Sequence, residues 1–347
     1  MNNSIYPWQI DSWRQLQQFG ARLPHAILFH GTEGIGKIML AERFAQALLC
    51  DMRAADGQAC GQCDSCGWFA QANHPDFRYV RPEALETARV EDAEEADEGV
   101  KKGAKASKSP SKEIRIDQIR GLADFMNLST HRNGLRVVLL YPAEALNAPA
   151  ANALLKTLEE PPSNTVFLLV THNRDRLLPT ILSRCRQFAL GVPAQQQALS
   201  WLREQGVADA DVWLAEQGGA PLAAQAAAAS GQRDILDEFL RQLARPGIDG
   251  ALKMAEALQK SPLAEQVAWL QRWLYDLFSM KLAGTVRYYP HYRKELATLA
   301  NLAETGALLR VLRSTGERSA IAAHPLSARL FIEDMLLEYA TLFPEGA

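Results

Sequence analysis

The chain contains no run of 18 or more apolar residues, so nothing in it qualifies as a membrane-spanning helix. Its first residues, Met1-Asn2-Asn3-Ser4-Ile5-Tyr6-Pro7-Trp8, lack the basic-then-apolar order of a secretory signal. An excess of positive charge is also missing. With 37 Lys+Arg against 40 Asp+Glu, the net charge is −3, which argues against a histone-like coat for nucleic acid. Cysteine is scarce, at 5 residues in 347. Four of them, Cys50, Cys60, Cys63 and Cys66, crowd into one stretch, a distribution that suits a metal site better than disulfides. These absences predict a cytoplasmic protein, and the length predicts two or three domains with real cores.

What is present begins with an alternation of strands and helices from about residue 24 to 190. Ala26-Ile27-Leu28-Phe29-His30 reads as a short buried strand. Leu40, Phe44, Ala47 and Leu48 then recur with helical spacing. Val137-Val138-Leu139-Leu140 and Val166-Phe167-Leu168-Leu169-Val170 are continuous apolar runs, as expected of strands buried on both faces of a parallel sheet. The segment 150–160 between them is helical and stops at Pro161-Pro162. The expected fold is therefore α/β with a covered parallel sheet over 1–190. A small helical domain over 191–243 follows, then an all-α domain over 244–347. In the last, Leu263, Val267, Leu270 and Leu274 form one apolar stripe, and Ile332, Met335, Leu336 and Tyr339 another. Trp269, Trp273, Tyr275 and Phe278 are expected in a core or subunit interface. Residues 83–112 break the rhythm, with six acids between Glu91 and Glu98 and five lysines from Lys101 to Lys112. That composition predicts a flexible surface insertion.

Gly31-Thr32-Glu33-Gly34-Ile35-Gly36-Lys37 follows the first strand and opens the first helix, the context of a phosphate-binding loop. Gly31, Gly34 and Gly36 let backbone N–H groups turn inward, and Lys37 is the candidate phosphate partner. The next residue should be a Ser or Thr that ligates Mg²⁺, but it is Ile38. The strand over 137–140 should be followed by an acid, but Tyr141-Pro142 stands there. Glu144 lies downstream and is expected to point elsewhere. The prediction is a P-loop fold that does not hydrolyse ATP, with ATP binding left open by Lys37 and the glycines.

Cys50-x₉-Cys60-x₂-Cys63-x₂-Cys66 offers four thiolates to one ion. A closed Cys₄ tetrahedron favours structural Zn²⁺, because a d¹⁰ ion needs no open coordination position. Its role would be to staple a loop without a core. His74, next to Pro75, is expected to be structural, and Cys185 a buried apolar residue.

Residues 136–188 read RVVLLYPAEALNAPAANALLKTLEEPPSNTVFLLVTHNRDRLLPTILSRCRQF. This segment closely resembles the clamp-loader members of the AAA+ ATPases. The run Ala153-Leu154-Leu155-Lys156-Thr157-Leu158-Glu159-Glu160-Pro161-Pro162 and the triplet Ser183-Arg184-Cys185 are its most specific parts, and the cysteine cluster narrows it to bacterial subunits. The resemblance implies a AAA+ module of α/β and lid domains and a helical collar that joins a five-subunit ring. It also implies a largely non-hydrolysing stator, which touches gamma/tau and delta subunits while the complex opens the β sliding clamp and places it on primer–template DNA. Enzymatic activity would then belong to the DNA-directed DNA polymerase holoenzyme rather than to this chain. Arg184 would be an arginine finger, acting in trans on ATP held by a neighbouring gamma/tau subunit. By itself, beside Arg186 and Arg174, it would read as solvated surface. Two further family positions are altered or idle: Leu222 replaces the lid arginine after Gly219-Ala220-Pro221, and Thr171 occupies the first sensor position.

Two other readings compete. An ATP-hydrolysing motor of gamma/tau type is opposed by Ile38, Tyr141, Pro142 and Leu222. A zinc-dependent DNA-binding module would need a basic reading surface beside the cysteines, and the overall charge is acidic. Lys156 would approach DNA in an assembled loader, although a packed helix is the plainer account.

Overall fold

The computed structural model describes residues 5–86, 110–127, 130, 134–322 and 327–344. Most of the insertion expected over 83–112 lies outside the described residues. Backbone contacts divide the chain into two units, Met1–Pro193 and Ala194–Ala347.

The first unit holds a five-stranded sheet of β1 (Ala26–His30), β2 (Phe77–Val80), β3 (Arg136–Leu140), β4 (Thr165–Thr171) and β5 (Arg186–Ala189). Its order is β2-β3-β4-β1-β5, and every pairing is parallel. β1, β3 and β4 coincide with the apolar runs. Leu28, Val138, Leu140, Phe167 and Leu169 pack one face against the helices Ile116–Asn127 and Ala148–Glu159. The alternate residues Ile27, Phe29, Val137, Leu139 and Leu168 are equally buried. The helix Lys37–Leu49 contacts β1, β3 and β4. Strands buried on both faces lose the period-2 alternation, which is why they read as continuous apolar runs. The helix Ala148–Glu159 starts where the Asn147 side chain accepts the Ala150 N–H at 3.0 Å, and it stops before Pro161-Pro162.

The second unit is all helical. A small apolar cluster of Ala198, Leu202, Trp213, Leu214 and Ala224 joins the helices Gln195–Glu204, Ala210–Glu216 and Pro221–Ala229. A larger cluster runs from the helix Arg233–Ala244 to Ala328–Ala340 and contains both predicted apolar stripes. Trp269 and Trp273 are in this core, whereas Tyr275 is exposed. The Trp273 indole N–H donates to the Tyr339 hydroxyl at 2.8 Å, which donates to the Leu243 carbonyl at 2.7 Å. The buried polar atoms of this aromatic centre are thereby satisfied. Among the described residues, no helix is long and apolar enough to cross a membrane.

Candidate functional site

The C-terminal ends of β1, β3 and β4 converge because the strands are parallel, and three loops meet there. The first is the glycine-rich loop. Gly31, Gly34 and Gly36 all have positive φ, at 147°, 75° and 85°. At Gly31 a Cβ would lie 2.2 Å from the Leu190 backbone carbonyl oxygen, which excludes a side chain, and at Gly36 the positive φ strains one. Lys37 starts the helix behind the loop and is only 2% exposed.

Lys37 does not point into an open phosphate cradle. Its Nζ donates to the loop's own Thr32 carbonyl at 2.7 Å and to His172 Nδ1 at 2.8 Å. The other ring nitrogen, Nε2, lies 3.0 Å from the Tyr141 hydroxyl, whose ring meets the imidazole edge-on. Burial and the Lys37 charge hold His172 below the ordinary histidine range, so its neutral ring accepts at Nδ1 and donates from Nε2. Burial also lowers the Lys37 pKa to about 8, against the opposing fields of Glu33 and Glu144. The Tyr141 phenol is pushed up to about 12 by burial and then by those acids. Tyr141 thus fills the place after β3 where an acid was expected, and joins a chain that engages the lysine.

Glu144 requires a correction. It does not point away: Oε1 accepts the His172 N–H at 2.9 Å, while Oε2 is buried without a hydrogen-bond partner. The residue meeting Lys37 is His172, not its neighbour Thr171. Thr171 is fully buried and accepts the Asn173 N–H at 3.1 Å. The sequence carries a hint of His172, a polar residue directly after a buried strand, but nothing that pairs it with Lys37. The N-terminal segment carries no signal at all. Gln9 Nε2 donates to the Ile35 and Gly36 carbonyls at 3.1 and 2.8 Å, and the Trp8 indole to Ile35 at 3.0 Å. Tyr6 stacks on Trp8 with centroids 4.8 Å apart.

The four cysteines form a separate centre. Their sulfurs all lie within 4.8 Å of one another. Cys50–Cys66, Cys50–Cys63 and Cys60–Cys66 are separated by 3.6, 3.9 and 4.0 Å. A tetrahedral ion with Zn–S bonds of about 2.3 Å has S···S edges of about 3.8 Å. The donor set therefore fits Zn²⁺. Backbone N–H groups turn onto the sulfurs: Cys60 N onto Cys50 at 3.3 Å, Gln62 N and Cys63 N onto Cys60 at 3.5 and 3.4 Å, and Cys66 N onto Cys63 at 3.5 Å. The two bonds to Cys60 bring its thiol down to about 6, whereas burial pushes the Cys66 thiol up. Cys63 also caps the short helix Asp64–Ala70.

His74 is no ligand. Its Nδ1 accepts the Asp76 N–H at 3.0 Å, and Nε2 lies 2.8 Å from Ser65 Oγ, which donates to the Leu49 carbonyl at 2.6 Å. Both ring nitrogens are thus committed to fixing the turn after the cysteines. The cysteine loop reaches the N-terminal helix Ile10–Gln17 as well. The Trp13 indole donates to the Asp56 carbonyl at 3.0 Å, and Gln17 donates to the same oxygen.

Arg184 lies apart from the phosphate loop. Arg186 pairs with Ile27 and Ala189 with His30, so Arg184 flanks the beginning of β1 while Gly31 follows its end. At about 3.3 Å per residue, this offset separates the two by roughly 20 Å. Arg184 is outside hydrogen-bonding reach of its own P-loop. Its neighbour Cys185 is buried, with its thiol pushed up to about 12 by burial, as expected of an apolar filler.

Comparison with known proteins adds the family. Residues 9–193 match the family described as "DNA polymerase III, delta subunit". The chain is 37% identical to "DNA polymerase III subunit delta'" of Pseudomonas aeruginosa, over 91% of this chain and 85% of the relative. It is 31% identical to the protein of the same name from Haemophilus influenzae, over 80% and 79%. Similarity to "DNA polymerase III subunit tau" of Salmonella typhimurium is 34%, but over only 49% of this chain and 22% of that one. The family match spans more than half of the chain and the likeness to the first relative nearly all of it, so the chain belongs to the delta-prime subunits of DNA polymerase III.

Proposed function

We propose that this delta-prime chain is a stator of the clamp loader: an AAA+ subunit that does not hydrolyse ATP and supplies Arg184 in trans to a gamma/tau neighbour. The observation that carries the reading is the engagement of Lys37 by Thr32 and His172. A P-loop lysine works by meeting the β- and γ-phosphates. Here two of its three donors are given to Thr32 and His172, Ile38 offers Mg²⁺ no hydroxyl, and Tyr141 replaces the acid after β3. One oxygen of Glu144 is occupied by the His172 N–H. The site at Gly31, Gly34, Gly36 and Lys37 thus acts as a structural hub, with nucleotide, if admitted, held without turnover.

The position of Arg184 supports the second half. Lying apart from its own loop, its always-charged guanidinium is suited to a nucleotide on another chain. Fingers of this kind contribute about 10³–10⁵ in rate in other nucleotidases. Partners in this reading are gamma/tau and delta, with the β clamp and primer–template DNA met through the assembled complex. Residues 191–243 would form the lid and 244–347 the collar; the smaller apolar cluster, Ala198 to Ala224, supports a separate lid but ends before the helix Arg233–Ala244. The helix Arg233–Ala244 packs its apolar face into the larger one. Cys50, Cys60, Cys63 and Cys66 would hold a Zn²⁺ that supplies a cross-link and no open coordination site.

The test is DNA-dependent ATP hydrolysis by a reconstituted gamma/tau–delta–delta-prime complex carrying the wild-type chain or Arg184→Ala, with the isolated chain as control. The expected result is an inert isolated chain and a slower, still intact variant complex. Hydrolysis by the isolated chain would make it a motor, and a variant complex at full rate would remove the finger.

A further inference from the structure

Arg184 is held by its own chain. Its Nη2 donates to Glu159 Oε1 at 2.5 Å, and Nη1 donates to the Thr180 carbonyl at 3.0 Å and to Ser183 Oγ at 3.4 Å. Glu159 ends the helix Ala148–Glu159, and Arg184 follows the short helix Pro179–Leu182, so the pair ties together two elements 25 residues apart. The arginine side chain keeps 32% of its surface exposed and Glu159 keeps 49%. The pair is therefore open to solvent and to any molecule docking on this end of the sheet.

Carboxylate and phosphate oxygens compete for the same guanidinium edges. A phosphate approaching Nη2 finds one of its two N–H donors given to Glu159, and the carboxylate's negative charge repels it at that distance. The Thr180 and Ser183 contacts carry no net charge and pose no such conflict. We infer that Glu159 is a positioning residue: a placeholder anion that holds Arg184 until the phosphates of a neighbouring subunit's nucleotide take over its Nη2 donor. This inference rests on the trans role proposed above. It adds that the isolated subunit keeps its finger in a fixed, self-neutralised pose, and that engagement exchanges one anion for another. A half-exposed ion pair is weak enough to be displaced by a triphosphate, so its removal favours the engaged state by about two- to fivefold.

The experiment compares wild type, Glu159→Gln, Arg184→Ala and the double variant in the reconstituted complex, with the ATP concentration varied. Glu159→Gln keeps an oxygen acceptor but loses the charge. The expected result is a half-saturating ATP concentration about two- to fivefold lower, with the melting temperature of the isolated chain lowered by no more than about 4 °C, the cost of the same lost ion pair. The double variant should behave as Arg184→Ala alone, because the placeholder acts only through the arginine. A Glu159→Gln complex with equal or higher half-saturation, beside a slow Arg184→Ala complex, overturns the placeholder and leaves the finger standing. A full-rate Arg184→Ala complex overturns the finger, and the placeholder with it.

Discussion

The four-cysteine centre and the glycine-rich loop lie in the same unit and were both announced by short motifs, yet their side chains are committed differently. At the cysteines, four sulfurs converge on one point and the backbone N–H groups turn toward them. The glycine-rich loop keeps its backbone shape, with three positive-φ glycines, but its lysine is satisfied from within by Thr32 and His172. Gln9 and Trp8 close onto the loop carbonyls. A motif therefore reports a backbone conformation more faithfully than it reports a vacancy. Glycines survive because the turn needs them, whether or not phosphate ever arrives.

The largest effect should come from the metal side. Chelation, or Cys63→Ser, removes an interaction worth about 10–16 kcal/mol in small zinc peptides, and the loop has no apolar core to replace it. Metal analysis should find one Zn²⁺ per wild-type chain and none in the variant. Thermal unfolding of the first unit should fall by roughly 10 °C or more. Because Asp56 holds Trp13 and Gln17, the Trp fluorescence of the N-terminal helix should change with it. Full stability without metal would erase the contrast.

On the loop side, pH provides the sharper probe. The Lys37 pKa is lowered to about 8 in the folded chain and returns to about 10.4 on unfolding. Between these values the unfolded state binds more protons, so folding stability gains with rising pH from this group. Below about 8 both states are protonated and the cost of the buried charge is constant. Wild type should therefore gain up to about 3 kcal/mol relative to Lys37→Met between pH 8 and 10.5, read by urea unfolding. A flat difference would mean that Lys37 is solvated and free to meet a phosphate.

Gln9→Ala removes two donors to Ile35 and Gly36, and should cost about 1–2 kcal/mol while speeding amide exchange in the loop. The smallest change is expected from Ile38→Thr. It restores the missing hydroxyl at a half-buried position, yet should shift stability by less than about 1 kcal/mol and yield no hydrolysis by the isolated chain. Turnover there would show that one hydroxyl was the whole defect.

Much of this was legible in the chain. β1, β3 and β4 stood out because strands buried on both faces are unbroken apolar runs. β2 and β5 did not, since Phe77–Val80 and Arg186–Ala189 are short edge strands that carry Arg78, Arg186 and Gln187. The cysteine cluster was readable from spacing because three of the four lie within seven residues, where local turns bring them together. The partners of Lys37 and Arg184 were not. His172 is 135 residues from Lys37, and Glu159 is 25 from Arg184, beyond the reach of any local pattern.

By itself, then, the sequence determined everything whose cause is local: the glycine turns, the cysteine cluster, the missing hydroxyl at Ile38 and the missing acid after β3. Only the tertiary structure decided which donors and charges are already spent. Parallel strands carry Tyr141 and His172 to the same sheet edge as Lys37, and the β1–β5 register carries Arg184 to the other end. Hydrogen-bond capacity is finite and is allotted through space, so whether a motif's lysine or arginine remains available is a property of the fold.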